Sequence, residues 1–140
     1  LGEARPGRHQ GPSRAVIQTL WIPGRMPGLN DLLDAHGSGG GARGNHYARI
    51  KKKWTADVAL LARVAKLQSV RRAWLRFKWH EPNRRRNPDN FAAGGRKIIL
   101  DGLVRAKVLM NDGWDEVAGF EDEWLVSSTT GVVVTIESIV

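Results

Sequence analysis

Between Arg84 and Asp112 the chain concentrates residue types that handle phosphate and metal. Arg84-Arg85-Arg86 comes first, then Asn87-Pro88-Asp89-Asn90, then Arg96-Lys97 with Asp101, and finally Asp112 in an Asn-Asp-Gly turn. Magnesium takes oxygen ligands, one or two of them carboxylates, with water and substrate phosphate completing its shell. Hydrolysis of a phosphodiester needs such carboxylates beside positive charge that holds the strand. Asp89 and Asp112 qualify as the carboxylates, and the three arginines as the strand-holding charge. Each acidic residue also has an ordinary role. Asp89 suits a helix cap, Asp112 suits a turn, and Lys97 with Asp101, four apart, suits a surface ion pair worth a few tenths of a kcal/mol.

The elements that must position these groups follow from periodicity. Pro88 biases Asn87 away from the helical region. Asn87 and Asp89 are therefore expected on an extended piece, pointing to the same side at the mouth of a helix over about 90–107. That helix has Phe91, Ile98, Ile99, Leu103 and Val104 as its apolar side, and Gly94-Gly95 weakens its first half. Upstream, residues 72–79 alternate: Ala73, Leu75, Phe77 and Trp79 on one face, Arg72, Trp74, Arg76 and Lys78 on a basic one. An earlier helix over about 47–69 carries an apolar stripe of Ile50, Trp54, Val58, Leu61, Val64 and Leu67. Lys51, Lys52 and Lys53 fall in its expected first turns, where the helix dipole prefers anions. A first strand fits 15–22, and two more fit 123–127 and 132–136, the last so apolar that it is expected to be central.

The resulting order, β-α-β-α-β-β, describes an α/β domain, a small mixed sheet with two main helices on one or both faces. Residues 1–13 read as a disordered basic arm, leaving 14–140 as a single domain. Residues 25–45 read as a loop whose most flexible part is 37–41. Most tryptophans fit the core, Trp54 and Trp79 among them; Trp74 and Trp114 are the candidates for DNA or dimer contacts. His80 and Glu81 read as a strand end, and His9, His36 and His46 lack metal-ligand spacing.

The net charge of +8, from 22 basic and 14 acidic residues among 140, favours a polyanionic partner. Lys51, Lys52, Lys53, Arg84, Arg85 and Arg86 are the expected phosphate contacts. The chain has no cysteine, which excludes a disulfide scaffold, a thiol nucleophile and a cysteine zinc site. No apolar run reaches the length of a membrane span and no leader opens the sequence, so a cytoplasmic location is expected.

Arg85-Arg86-Asn87-Pro88-Asp89-Asn90, Arg96-Lys97-Ile98-Ile99-Leu100-Asp101-Gly102-Leu103-Val104 and Val108-Leu109-Met110-Asn111-Asp112 together resemble the signature of the RusA family of Holliday junction resolvases. Ile22-Pro23-Gly24-Arg25-Met26-Pro27-Gly28-Leu29-Asn30 is similar to that family's strand-end loop. The likeness spans about 15–138. It implies a RusA-like fold and a homodimeric, Mg²⁺-dependent endodeoxyribonuclease, with Mn²⁺ as a plausible substitute. Such an enzyme binds four-way DNA junctions and nicks them in recombination and repair, in the cytoplasm of a bacterial or phage-infected cell. It further implies that Asp89, Asp112 and Asn87 hold the metal and that Lys97 is catalytic, with Arg96 and Asn30 joining the DNA-binding set. Asn87 stands where the family has an aspartate; an amide oxygen can coordinate a metal but brings no charge and no general base. The gap from Asp89 to Lys97 is also longer than in the family. A non-catalytic junction- or duplex-binding protein is therefore the competing expectation. A basic RNA-binding module fits less well, since the chain lacks the aromatic pattern of the RNA-recognition motif and a Gly-x-x-Gly clamp.

Overall fold

Residues 16–28 and 42–139 are described by a computed structural model. The expected arm at 1–13, the glycine-rich loop at 37–41 and Asn30 lie outside these residues. The elements are β1 (Ile17–Pro23), α1 (Ala42–Val64), β2 (Ala73–Glu81), α2 (Pro88–Arg105), β3 (Val117–Val126) and β4 (Gly131–Ser138). The strands form one sheet in the order β1-β4-β2-β3, with β2 and β3 parallel and the other pairs antiparallel. The α/β class and the β-α-β-α-β-β order are as expected.

The alternation in β2 decides where the core lies. Ala73, Leu75, Phe77 and Trp79 are buried. Their neighbours on β4, with Leu75 opposite Ile136, Phe77 opposite Val134 and Trp79 opposite Val132, continue the same apolar face. Leu20 and Ile22 on β1 extend it. Phe91, Ile98, Ile99 and Leu103 of α2 and Val58 and Ala62 of α1 join this one core. Both helices thus pack on the same face of the sheet. β4 is central, as its continuous apolar run implies.

Several boundaries differ from the sequence reading. α1 begins at Ala42 and stops at Val64, so the three lysines sit in its middle turns and the dipole argument against them lapses. Its buried side runs through Val58, Ala59 and Ala62, while Val64 is exposed at the helix end. Lys66, at φ 56, reverses the chain there and brings Leu67 back onto the core. α2 starts at Pro88, because proline at the first helical position lacks only an N–H that would have no partner. Asn87 is extended as expected, whereas Asp89 is already helical. β3 begins earlier than expected, because Asp122 interrupts its apolar pattern on the helix side: it accepts a bond from Trp79 Nε1 (3.0 Å) and pairs with Arg96. Among the described residues no helix is long and apolar enough to cross a membrane.

The glycines of α2 serve packing. A Cβ on Gly95 would fall 2.7 Å from the Trp79 ring, so the residue that weakens the helix also seats a core tryptophan. Gly102 faces α1, where a Cβ would fall 2.5 Å from Val58 Cγ1 and 3.2 Å from the Thr55 carbonyl oxygen. Alanine there would gain about 1 kcal/mol of helix propensity. Overpacking costs about 1–3 kcal/mol, and a backbone contact leaves little room for relief. Gly102→Ala is expected to lower the urea midpoint with an unchanged m-value; an equal or higher midpoint contradicts the close helix approach.

Candidate functional site

The β2-α2-β3 unit organises the candidate groups. Parallel strands require a crossover, and α2 is that crossover, so its first turn lies at the carboxyl ends of β2 and β3. Asn87 holds the N-cap position at φ −74 and ψ 146, but its side chain makes no capping bond. Asp89 follows in the first turn, exposed, where a carboxylate favours the helix dipole.

Two turns further on, the chain brings together groups that the sequence separates. Lys97 Nζ donates to Asp112 Oδ2 at 3.1 Å and lies 3.1 Å from Asp101 Oδ1. Lys51 of α1 approaches the other oxygen of Asp101 at 3.5 Å. Four charges, two of each sign, meet where α2, α1 and the turn after α2 converge. The Asp112 and Asp101 carboxylates hold the Lys97 ammonium above its ordinary pKa of 10.5, Asp112 contributing most. Lys97 is therefore a cation at neutral pH, suited to stabilising anionic charge rather than to taking up a proton. The stability from this raised pKa is fully present below 10.5 and is lost only as pH rises through the folded-state value.

Of the expected metal set, Asp112 meets Lys97, two turns along α2 from Asp89 and Asn87, and among the described residues no group of three or more His, Asp or Glu side chains is placed to hold a metal ion. Eight residues of helix from Asp89 to Lys97 amount to a rise of about 12 Å. What converges on Asp112 is Asp101, which sequence reasoning treated as half of a surface ion pair. The four-residue spacing from Lys97 was the visible signal. Lys51's place beside Asp101 had none, because it depends on how α1 packs. Asp101 and Asp112 keep 26 % and 27 % side-chain exposure beside the lysines, and carboxylates are the ligands that magnesium takes together with water and phosphate.

The basic residues divide into two kinds. Arg86 is committed internally: Nε and Nη2 donate to Glu81 at 3.1 and 2.7 Å, and Nη1 donates to the Met26 carbonyl at 2.9 Å. It also lies over the Phe91 ring. Arg86 and Glu81 retain only 10 % and 11 % side-chain exposure, and leaving one without the other would cost about 3–5 kcal/mol. Arg96 pairs with Asp122 and covers the Phe120 ring at 4.3 Å. Arg84, Arg85 and Lys52 are exposed, and Lys53 bonds Asp57 within its own helix. Arg84, Arg85 and Lys52 are thus the members of the expected phosphate-binding set that face solvent without an ion pair among the described residues.

His80 packs edge-on against Trp21 at 5.3 Å, on the sheet face away from the helices. Trp74, on that same face, lies over Gly119 and is half-buried. Trp114, two residues beyond Asp112, is 96 % exposed. No protein-family model and no curated protein matches the chain.

The Lys97 triad gives a direct expectation. Asp112→Asn removes the main cause of the raised pKa, so an NMR titration of lysine side chains should show Lys97 moving down toward 10.5. An unmoved Lys97 contradicts the bridge.

Proposed function

We propose that the chain is a divalent-metal-dependent endonuclease acting on branched DNA, in the manner of the RusA-type Holliday junction resolvases that its motifs resemble. The observation that carries this reading is the convergence of Lys97, Asp101 and Asp112 from two segments of the chain, beside Lys51. These groups combine oxygen ligands for a hard cation with fixed positive charge for a phosphate, the two needs of phosphodiester hydrolysis. The excess positive charge of the chain supports a polyanionic substrate.

In this reading Asp112 and Asp101 hold a magnesium ion, for which manganese substitutes. Once bound there, the ion supplies Lewis acidity and a polarised water at neutral pH. Lys97 turns its ammonium to the scissile phosphate and stabilises the charge that builds on its non-bridging oxygens. Lys52, Arg84 and Arg85 hold the strand through other phosphates. Asn87 and Asp89, at the start of α2, bound the site on the approach to Arg84. A second copy of the chain places two such sites for paired nicks. Binding without cutting is the second reading, favoured by Asn87 in a carboxylate position and by the neutralisation of Asp101 and Asp112 by lysines.

A synthetic four-way junction in Mg²⁺ decides between them. Tight junction binding that weakens steeply with salt, weaker binding to linear duplex, and nicking by the chain are expected. Asp112→Asn and Asp101→Asn should each lower nicking by roughly 100-fold. Binding with no nicking by the chain leaves a binding protein, and nicking gained only with Asn87→Asp moves the metal to the helix start. Loss on Asp89→Asn with Asp101→Asn unaffected moves the metal to the helix start, and equal affinity for linear duplex overturns the junction preference.

A further inference from the structure

A cavity of about 390 Å³ opens at the carboxyl ends of β2 and β3, between the loop into α2 and the last residues of β3. This is where ligands bind in α/β units with parallel strands, because the strand ends leave a crevice and the helix start faces it. Its floor is polar and satisfied: Glu81 is held by Arg86. One wall is aromatic and apolar, formed by Phe91 and by Trp124 with the β3 residues after it. Trp124 pairs in register with the buried Trp79, yet is itself 54 % exposed. The opposite rim carries Asn83, Arg84 and Asn87. Asn83 Oδ1 accepts the Arg85 N–H at 2.9 Å, which orients that side chain, and Asn87 makes no capping bond.

We propose that this cavity receives one unstacked nucleotide of the bound DNA strand, its base against Trp124 and its phosphate toward Arg84. This rests on the DNA-directed reading above and adds how branched DNA is told from duplex. A volume near the lower end of the range for small-molecule sites admits a single nucleoside, not a stacked run. An aromatic wall offers a face for any base, amide side chains on the rim can reach a base edge, and an exposed arginine completes the contact with phosphate. Taking a base out of a duplex costs a few kcal/mol and least where it is already unpaired. A cavity of this kind therefore favours a strand at a branch point over the same strand in linear duplex.

The test places a fluorescent adenine analogue in turn at each nucleotide flanking the branch point of a four-way junction and adds the full chain. At one position the wild-type chain should change the analogue's emission. Trp124→Ala should remove that change and weaken junction binding by about tenfold or more, with linear-duplex binding little altered. Trp124→Phe, which keeps an aromatic face, should retain most of both. Arg84→Ala should weaken junction binding and flatten its salt dependence. A wild-type chain that binds the junction with no emission change at any position overturns the cavity assignment alone. So does a Trp124→Ala chain that keeps the change, or one that loses junction and duplex binding equally. If the wild-type chain does not prefer the junction, the branched-DNA reading falls and the cavity assignment with it.

Discussion

Lys97 donating to two carboxylates is the contact around which the candidate site is built. Asp101 lies one helical turn along α2 and Asp112 comes from the turn after it, so a single ammonium pins that turn against the helix. Lys51 ties α1 to the same point through Asp101. At a half-exposed position such an arrangement contributes little to stability. Its consequence is positional: two carboxylates stay side by side at neutral pH because a cation separates their charges. Without it, like charge would drive them apart.

The packing beneath makes that convergence possible. Gly102 lets α2 approach α1 at Val58, which brings Lys51 within reach of Asp101. Gly95 admits Trp79, whose indole N–H reaches Asp122 on β3, and Arg96 reaches the same carboxylate from α2. At the other end of the helix, Arg86 binds Glu81 and the Met26 carbonyl, fixing the loop between β2 and α2 to the segment after β1. A charge that looked like a strand-holding arginine is in fact the fastening of that loop. Arg84 and Arg85 are left on the outside, next to the cavity at the strand ends.

Sequence periodicity carried most of the fold. The alternation of β2, the apolar run of β4 and the two helical stripes were legible because burial on one face imposes period on sequence. The start of α2 was misplaced by two residues, since Pro88 restrains its predecessor and opens the helix at once. β3 was shortened because a core-facing position holds Asp122, whose partners are distant in sequence. The site was legible in part. Its residue types were visible, but which carboxylate meets Asp112 depends on the path of the chain after α2, and the helical spacing of Lys97 and Asp101 alone did not distinguish a site from a surface pair. Arg86 shows the same limit in reverse, since its burial follows from the path after β1.

Paramagnetic Mn²⁺ added in small amounts to the isotope-labelled chain tests the central claim most directly, because line broadening falls off steeply with distance from the ion. Amide signals at residues 97–101 and 111–113 should broaden before any others, and Asp101→Asn or Asp112→Asn should abolish the selectivity. Broadening centred on Asp89, or none that is specific to a site, would contradict a metal held between Asp101 and Asp112.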